Sequence, residues 1–285
     1  MIERKKLFGA AVLVSLGFAL LYRHVLVKLV HDWWTDDNYS HGFLIVPLAV
    51  YLVWERRQRF AAAANQPAIF GLVVVLGSML VLMAGILGSE LFLTRISIVG
   101  TVAGSVLFVF GWKRLRVLAF PIAVLLLMIP IPAIIFNQIT LPLQLFASRV
   151  GEFALNSVEI PVLREGNVLI LANTTLEVAQ ACSGIRSLVS LLTLGIMFGY
   201  FTDERAWVRL VIALSTIPIA IVANGARVAG TGIAAARFGP EAAEGFLHEF
   251  SGMVVFVVAF SIMIALQRAI VRLVPPHASA AVAAP

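Results

Sequence analysis

The stretch EVAQACSGIRSLVSLLTLGIMFGYF, residues 177–201, changes from a mixed polar segment into an apolar run. An apolar run of this kind belongs in hydrocarbon, where a helix satisfies all of its own backbone polar groups. The only cysteine of the 285 residues, Cys182, stands where the change occurs. We therefore predict a helix that begins near Ser183 at a membrane surface and carries Cys182 at its amino end.

The amino end of a helix would change the chemistry of this thiol. Unpaired backbone N–H groups and about half a positive charge lie there, and both favour a thiolate over a thiol. Arg186, four residues after Cys182, would act in the same direction from the same helical face. The alternative is that Cys182 is a small packing residue, which is the usual role of a lone cysteine in an apolar protein.

Composition indicates the class of protein. Hydrophobic residues make up 61% of the chain and charged residues 13%, and the mean hydropathy is +0.99. Several apolar runs approach the ~20 residues that cross a bilayer, so we predict an all-α polytopic membrane protein. The net charge of +6 does not indicate nucleic-acid binding, because membrane proteins concentrate Lys and Arg in cytoplasmic loops. A single cysteine cannot form an intrachain disulfide.

Basic loops set the expected topology, with both chain termini in the cytoplasm. The basic segments on that side would be residues 3–6, 55–59, 112–116, 205–209 and 268–272. Between them, hydropathy predicts about eight transmembrane helices, at residues 7–30, 42–54, 67–87, 96–111, 117–135, 187–201, 208–223 and 251–266. Arg23, Lys28 and Arg95 would lie on the opposite side, as exceptions. Residues 1–274 would form a single transmembrane domain, and residues 275–285 a disordered cytoplasmic tail.

The longest stretch between predicted spans, residues 136–181, changes its pattern along its length. Apolar residues within 141–153 recur at the spacing of one face of an interfacial helix. Residues 162–178, VLREGNVLILANTTLEV, alternate and are interrupted by turn residues, which predicts a β-hairpin or meander. Because open sheet edges are not tolerated facing lipid, this small structure would lie outside the hydrocarbon as an extracytoplasmic cap before the cysteine-bearing helix.

The predicted topology brings three residues to one membrane surface. Cys182 and His248 would open two inward-going helices, and Arg227 would follow the carboxyl end of an outward-going helix. The helix dipoles then favour a thiolate at Cys182, a neutral imidazole at His248 and a cation at Arg227. A thiol, a base and an oxyanion donor are the parts that acyl transfer needs. Taken singly, Arg227 also fits a charge that reaches for lipid phosphate, and His248 a solvated interfacial side chain.

Six further residues are predicted to support the site or bind substrate: Arg186, Asn224, Ser183, Tyr39, Ser40 and His41. Asn224 would either cap the seventh helix or orient Arg227. His41, also predicted on the outer side, is the rival of His248 as the base. No further metal ligands stand at short spacing from Cys182, so we expect no metal and no cofactor.

Four sequence blocks carry a resemblance to a known family. They are ACSGIRS at residues 181–187, NGAR at 224–227, the histidine of EGFLHEFSG at 244–252, and NYSHGFLIVP at 38–47. These four blocks resemble, respectively, the Cys block, the Arg block, the His block and the amino-terminal signature of the exosortase/archaeosortase family. The sequence around the histidine is most similar to that of bacterial exosortase A-type members, which process PEP-CTERM proteins.

The resemblance implies a membrane-embedded cysteine peptidase or transpeptidase in which Cys182, Arg227 and His248 are catalytic. Its substrates would be membrane-anchored proteins whose sorting signal has a Pro-Glu-Pro-like motif, a hydrophobic helix and a basic tail. The family is linked to exopolysaccharide production and surface attachment, so an exopolysaccharide or glycolipid would be one type of acceptor. The resemblance further implies a bacterial inner membrane protein whose active site faces the periplasm.

Two other functions fit the residues and stay open at this stage. The polar cluster would also suit a transporter or a polysaccharide-export component, where charged residues at membrane depth mark a translocation route. Such sites lie near the bilayer midplane, whereas the three residues are predicted at the surface. In a non-enzymatic membrane scaffold, Cys182 would simply be packed.

Overall fold

The computed structural model describes residues 15–172, 174–178, 184–239 and 246–275, of which residues 184–186 and 246–251 are described by their backbone alone. The chain divides into two compact units, one up to residue 133 and one from residue 134. Within the described ranges, four helices are long and apolar enough to cross a membrane: Phe70–Leu87, Leu91–Met128, Ala206–Phe238 and Gly252–Leu273. Gly42–Glu55 and Ser187–Thr202 are shorter apolar helices. The predicted all-α polytopic membrane fold is confirmed, while the number of eight spans stays a prediction.

Every secondary-structure element in the described part of the first unit is a helix. Its elements are α1 Arg23–Thr35, α2 Gly42–Glu55, α3 Arg57–Ala62, α4 Phe70–Leu87, α5 Leu91–Val124 and a 3-10 helix Leu125–Met128. The first predicted span was expected to end at residue 30, but α1 continues to Thr35. The continuation is explained by Trp33, which is buried and donates a 2.9 Å hydrogen bond from Nε1 to the carbonyl of Met128.

Helix α5 is two helices joined at Gly111, which has φ 80° and ψ −178°. Arg95, before this break, pairs with Asp32, and Met128, after it, accepts a hydrogen bond from Trp33. A straight helix from Arg95 to Met128 would hold these two residues about 50 Å apart. Because Asp32 and Trp33 are neighbours, the chain must reverse at Gly111. A break between two spans near residue 111 was predicted, but the predicted loop at 112–116 is helical.

The second unit combines helices with one small sheet. Its elements are α6 Ala133–Ser157, β1 Val162–Glu165, β2 Val168–Leu171, β3 Thr175–Glu177, α7 Gly184–Thr202, α8 Ala206–Phe238 and α9 Phe246–Leu273. The strands form an antiparallel meander in the order β1-β2-β3, with the first turn at Gly166, whose φ is +65°. The predicted β-meander is therefore confirmed.

The meander packs on α6 and α8 through one apolar cluster. Leu155 of α6, Leu169 of β2, Val178 after β3 and Val228 of α8 are all buried in it. Ser148 of α6 adds a 2.9 Å hydrogen bond from its hydroxyl to the carbonyl of Gly166 at the turn. The meander is thus fixed to two helices by burial of its apolar side chains.

The sequence interpretation placed the end of α8 wrongly. A span was predicted over residues 208–223, but the helix runs through Ala206–Phe238, a length of about 50 Å. Asn224 and Arg227 consequently lie inside the helix. Asn224 is therefore not a carboxyl-terminal cap, and the expected effect of a helix carboxyl end on Arg227 does not apply. The helix continues because its later turns bury Val228 and Ala235 in the cluster with the meander.

Candidate functional site

The packing of α7 against α8 fixes which residues lie at the same level. Three antiparallel pairs are in close contact or share a buried cluster: Gly199 with Ile212, Gly195 with Thr216, and Leu191 with Ala220. Each pair is four residues from the next on both helices, as one face of two helices requires. Two further turns from the last pair place Gly184, the first residue of α7, opposite Arg227 of α8.

Helix α9 reaches the same level. Ala259 lies in the buried cluster of Leu191, and a Cβ on Gly195 would be 3.4 Å from the sulfur of Met263. Helices α7 and α9 therefore run in parallel, and two turns back from Leu191 and Ala259 the residues are Gly184 and Gly252. A direct contact agrees with this register, because a Cβ on Gly252 would be 3.7 Å from Cζ of Arg227.

The structure describes the three predicted catalytic residues to different extents. Arg227, half-buried, is described in full and points its guanidinium at Gly252. His248 is the third residue of α9 and lies one turn before Gly252, so the two positions share a helical face. Its side chain lies outside the described residues, as do Cys182 and Ser183, which directly precede Gly184. Arg186 is the third residue of α7 and is described by its backbone alone.

Asn224 lies one turn before Arg227 on α8 and is 6% exposed. Within the described part of the chain, no donor reaches its buried Oδ1. With Leu143 and Leu188, Asn224 lines a cavity of about 10 Å³, roughly the space of one water molecule. A buried amide oxygen without a donor is costly, so this position suits a bound water or a donor from the adjoining, undescribed segment.

Two glycines of the quoted blocks have packing roles that the sequence interpretation missed. At Gly225, within NGAR, a Cβ would be 3.1 Å from Val150, so α8 approaches α6 closely there. At Gly252, the missing side chain leaves room for the guanidinium of Arg227. The position of each glycine inside a quoted block was the only sequence signal that it has a role. The residue it packs against could not be predicted, because that depends on the relative register of the helices.

Tyr39, Ser40 and His41 belong to the first unit, in the loop between α1 and α2. Nε2 of His41 is 3.1 Å from the carbonyl of Leu127, and since a carbonyl only accepts, Nε2 carries the proton. Burial lowers the pKa of His41. Burial likewise raises the pKa of Tyr39. Ser40 is exposed, and its hydroxyl donates a 3.1 Å hydrogen bond to the carbonyl of Asp37. This is a local turn interaction.

Comparison with known proteins identifies the family. Residues 33–265, most of the chain, match the family model described as transmembrane exosortase (Exosortase_EpsH). The chain belongs to the transmembrane exosortase family. No curated protein and no solved structure matches it. Membership indicates that this exosortase is a membrane peptidase or transpeptidase whose substrates are membrane-associated proteins.

The matched range includes both the Arg227 level of the second unit and the His41 loop of the first. Among the residues described, no three His, Cys, Asp or Glu side chains gather as metal ligands would. The chemistry available at the Arg227 level is that of a half-buried guanidinium held against Gly252. A guanidinium in such a place can pair with a negatively charged oxygen.

Proposed function

We propose that this exosortase is a cysteine transpeptidase or peptidase that removes the carboxyl-terminal PEP-CTERM sorting signal of exported proteins. Cys182 is the nucleophile, Arg227 the oxyanion donor and His248 the general base. The observation that carries the proposal is the contact of Arg227 with Gly252, one turn from His248 and level with the start of α7. The enzyme acts in the bacterial inner membrane, with this site on the periplasmic face.

Chain connectivity supports the place of Cys182 in this proposal. Two peptide units join it to Gly184, which limits their Cα separation to about 7.6 Å. On the other side, Val178 is buried in the same cluster as Val228, the neighbour of Arg227. Both ends of the intervening segment are therefore held near Arg227. A thiol at the start of α7 would also have the lowered pKa that a nucleophile needs.

The proposed reaction proceeds in two steps. His248 first takes the proton of the Cys182 thiol. The resulting thiolate attacks the substrate carbonyl carbon, and Arg227 stabilises the oxyanion of the tetrahedral intermediate. The C–N bond then breaks, the leaving amine takes a proton from His248, and a thioester remains. In the second step an acceptor O–H or N–H, from water, an amine or a glycolipid, gives its proton to His248 and attacks the thioester. The new bond forms and Cys182 leaves as a thiolate.

The substrate's own architecture fits this site. Its hydrophobic helix would enter the bilayer beside the enzyme, and its basic tail would stay in the cytoplasm under the same charge rule that orients the exosortase. The Pro-Glu-Pro-like motif would then lie at the outer membrane surface. Attachment of the processed protein to an exopolysaccharide or glycolipid would account for a role in surface attachment.

Co-expression with a PEP-CTERM protein tests the proposal. Mass spectrometry of the processed protein should show a new carboxyl terminus near the motif, with any acceptor still attached. Cys182→Ala should reduce processing to background while the exosortase accumulates normally, since loss of one thiol costs on the order of 1 kcal/mol of stability. Ser187→Ala, a small polar truncation on α7, is the matched control and should process normally.

The other functions predict a different outcome of the same experiment. In a transporter, a polysaccharide-export component or a scaffold, Cys182→Ala would be nearly silent. Release of the substrate's hydrophobic tail by the alanine variant, at wild-type protein levels, would show that Cys182 is not the nucleophile.

A further inference from the structure

A cavity of about 330 Å³ lies in the first unit between α1, the end of α4 and the start of α5. Its charged and titratable lining consists of Arg95, Lys28 and His24. Ser89 and Thr94 also line it, but the Thr94 hydroxyl donates to the carbonyl of Leu91 at 2.7 Å. No carboxylate from the described part of the chain lines it. Positive side chains without an acidic group in the lining are what a phosphate prefers.

Arg95 and Lys28 share one ion-pair partner, and one donor of Arg95 is left unused. Arg95 is 3% exposed and forms an ion pair with Asp32. Asp32 forms a second ion pair with Lys28, whose Nζ is 2.8 Å from Oδ1. Two cations thus share one carboxylate. The buried Nε of Arg95 has no acceptor within the described residues. A buried donor of a charged group is costly to leave without an acceptor, so the site suits a ligand with acceptor oxygens, as in a phosphodiester.

A second cavity of about 410 Å³ shares Ser89, Leu91 and Arg95 with the first, but its other charged groups are acidic. Asp36 lines it, and its Oδ1 accepts a 2.9 Å hydrogen bond from the backbone of Asn38. Glu90 also lines it, and its Oε2 accepts from the backbone of Leu93 at 2.9 Å. The other oxygen of each carboxylate accepts no bond from the described residues. Two such oxygens favour a cationic group beside the phosphate.

The charged residues of the first cavity lie near helix ends. Lys28 is seven residues before the end of α1, and Arg95 is four residues after the start of α5, so both lie about 6–11 Å inside the helix ends. Ile86 and Leu91 line the cavity and are 61% and 45% exposed. Their apolar surface would contact acyl chains.

We propose that the two cavities bind a phospholipid with an amine-bearing headgroup. The phosphodiester accepts hydrogen bonds from Arg95 and Lys28, and the ammonium lies between Asp36 and Glu90. The site lies within the first unit and does not depend on the proposed peptidase chemistry. Free glycerophosphoethanolamine has the same headgroup chemistry, but the apolar wall at Ile86 favours the lipid.

The test is the thermal stability of the delipidated, full-length protein in detergent as lipid is added. Dioleoyl phosphatidylethanolamine should raise the melting temperature with a saturable concentration dependence, whereas dioleoyl phosphatidylglycerol should require a concentration on the order of tenfold higher, since it lacks the ammonium. Lys28→Gln should weaken both lipids by about tenfold, because it removes one charge-assisted hydrogen bond. Lys113→Gln, on an exposed basic residue of α5 outside both cavities, is the matched control and should change neither.

Two further arms make the proposal falsifiable. Asp36→Asn with Glu90→Gln should abolish the preference for the amine-bearing lipid and leave the phosphatidylglycerol response in place. Equal responses to both lipids in the wild-type protein would overturn the ammonium site. An equal response to free glycerophosphoethanolamine would show that the ligand is soluble and not a lipid. No lipid response, with Lys28→Gln as stable as the wild-type protein, would mean that water alone satisfies Arg95. Arg95 is left intact because its removal would leave Asp32 without its buried partner.

Discussion

The guanidinium of Arg227 lies against Gly252, so that a Cβ at Gly252 would be 3.7 Å from Cζ and Nη2 and 3.9 Å from Nη1. This is ordinary van der Waals contact, and Gly252→Ala should therefore retain activity. A side chain larger than alanine at Gly252 would occupy the space that the guanidinium of Arg227 fills. We expect Gly252→Leu to lower the rate of substrate processing by about 10²-fold, the cost of displacing a catalytic group by about 1 Å.

The rate should be measured as cleavage of a co-expressed precursor, normalised to the amount of exosortase in the membrane. Gly230→Leu is the matched control, because Gly230 is on α8 close to Arg227 and a Cβ there would meet nothing within 4 Å. Normal processing by Gly252→Leu would show that the observed position of Arg227 is unimportant for the reaction.

Asn224 offers a test of a positioning role. If its amide orients a water or a donor at the site, Asn224→Leu should lower the turnover number by about tenfold or more and leave KM nearly unchanged. If the amide only fills space, an apolar side chain of similar size should be neutral or stabilising. Thr216→Val is the control within α8, because the buried Thr216 hydroxyl bonds to its own helix at Ala213, 2.6 Å away. A change in KM alone would contradict the positioning role.

The reversal at Gly111 should tolerate no side chain. Its φ of +80° costs an alanine about 1 kcal/mol or more, and a Cβ would also overlap the carbonyl oxygen of Gln66. We expect Gly111→Ala to reduce the yield of folded, monodisperse protein severely. Gly77→Ala, at a helical glycine of α4 with nothing within 4 Å, should be neutral or stabilising. Equal yields of the two variants would show that the turn is not required.

The sequence alone predicted those features that depend on local pattern. The change from polar to apolar residues after Cys182 predicted an apolar helix, and α7 covers that run from Gly184 to Thr202. Alternation in residues 162–178 predicted the meander, and basic segments predicted the break near Gly111. Each of these signals is contained within a short stretch, because hydropathy and strand alternation are local properties.

Long-range packing explains what the sequence could not predict. Hydropathy falls at NGAR, so a span was expected to end at residue 223, but α8 continues because the meander covers Val228 and replaces lipid as its apolar environment. Likewise, α1 extends to Thr35 because the Met128 carbonyl provides Trp33 with a buried partner. The contact of Arg227 with Gly252 depends on the relative register of α8 and α9, which a single sequence does not specify.

Burial of His41 should make stability fall on acidification. Its pKa in the folded protein is lowered from the ordinary 6.5, so the unfolded chain binds a proton more readily as pH falls below about 6.5. The destabilisation that His41 causes is absent above that pH and grows as the pH falls below it. We expect the melting temperature in detergent to fall between pH 7.5 and pH 5.5 and His41→Gln, which keeps a donor for Leu127, to reduce that fall. His31→Gln, at an exposed histidine of α1, should leave the pH dependence in place, and an unchanged slope in His41→Gln would contradict the prediction.

Substitutions at Arg227 test whether its positive charge or the geometry of its guanidinium matters for the reaction. Arg227→Ala should lower processing by about 10²- to 10³-fold, as loss of one oxyanion donor does. Arg227→Lys keeps the positive charge but replaces a planar fork of donors with a compact ammonium. Because the guanidinium is held flat against Gly252, we expect lysine to recover less than a tenth of the wild-type rate, while Arg209→Lys, near the opposite end of α8, serves as the control for loss of a guanidinium. Processing by Arg227→Lys at the wild-type rate would mean that charge alone suffices, and wild-type processing by Arg227→Ala would remove Arg227 from the mechanism.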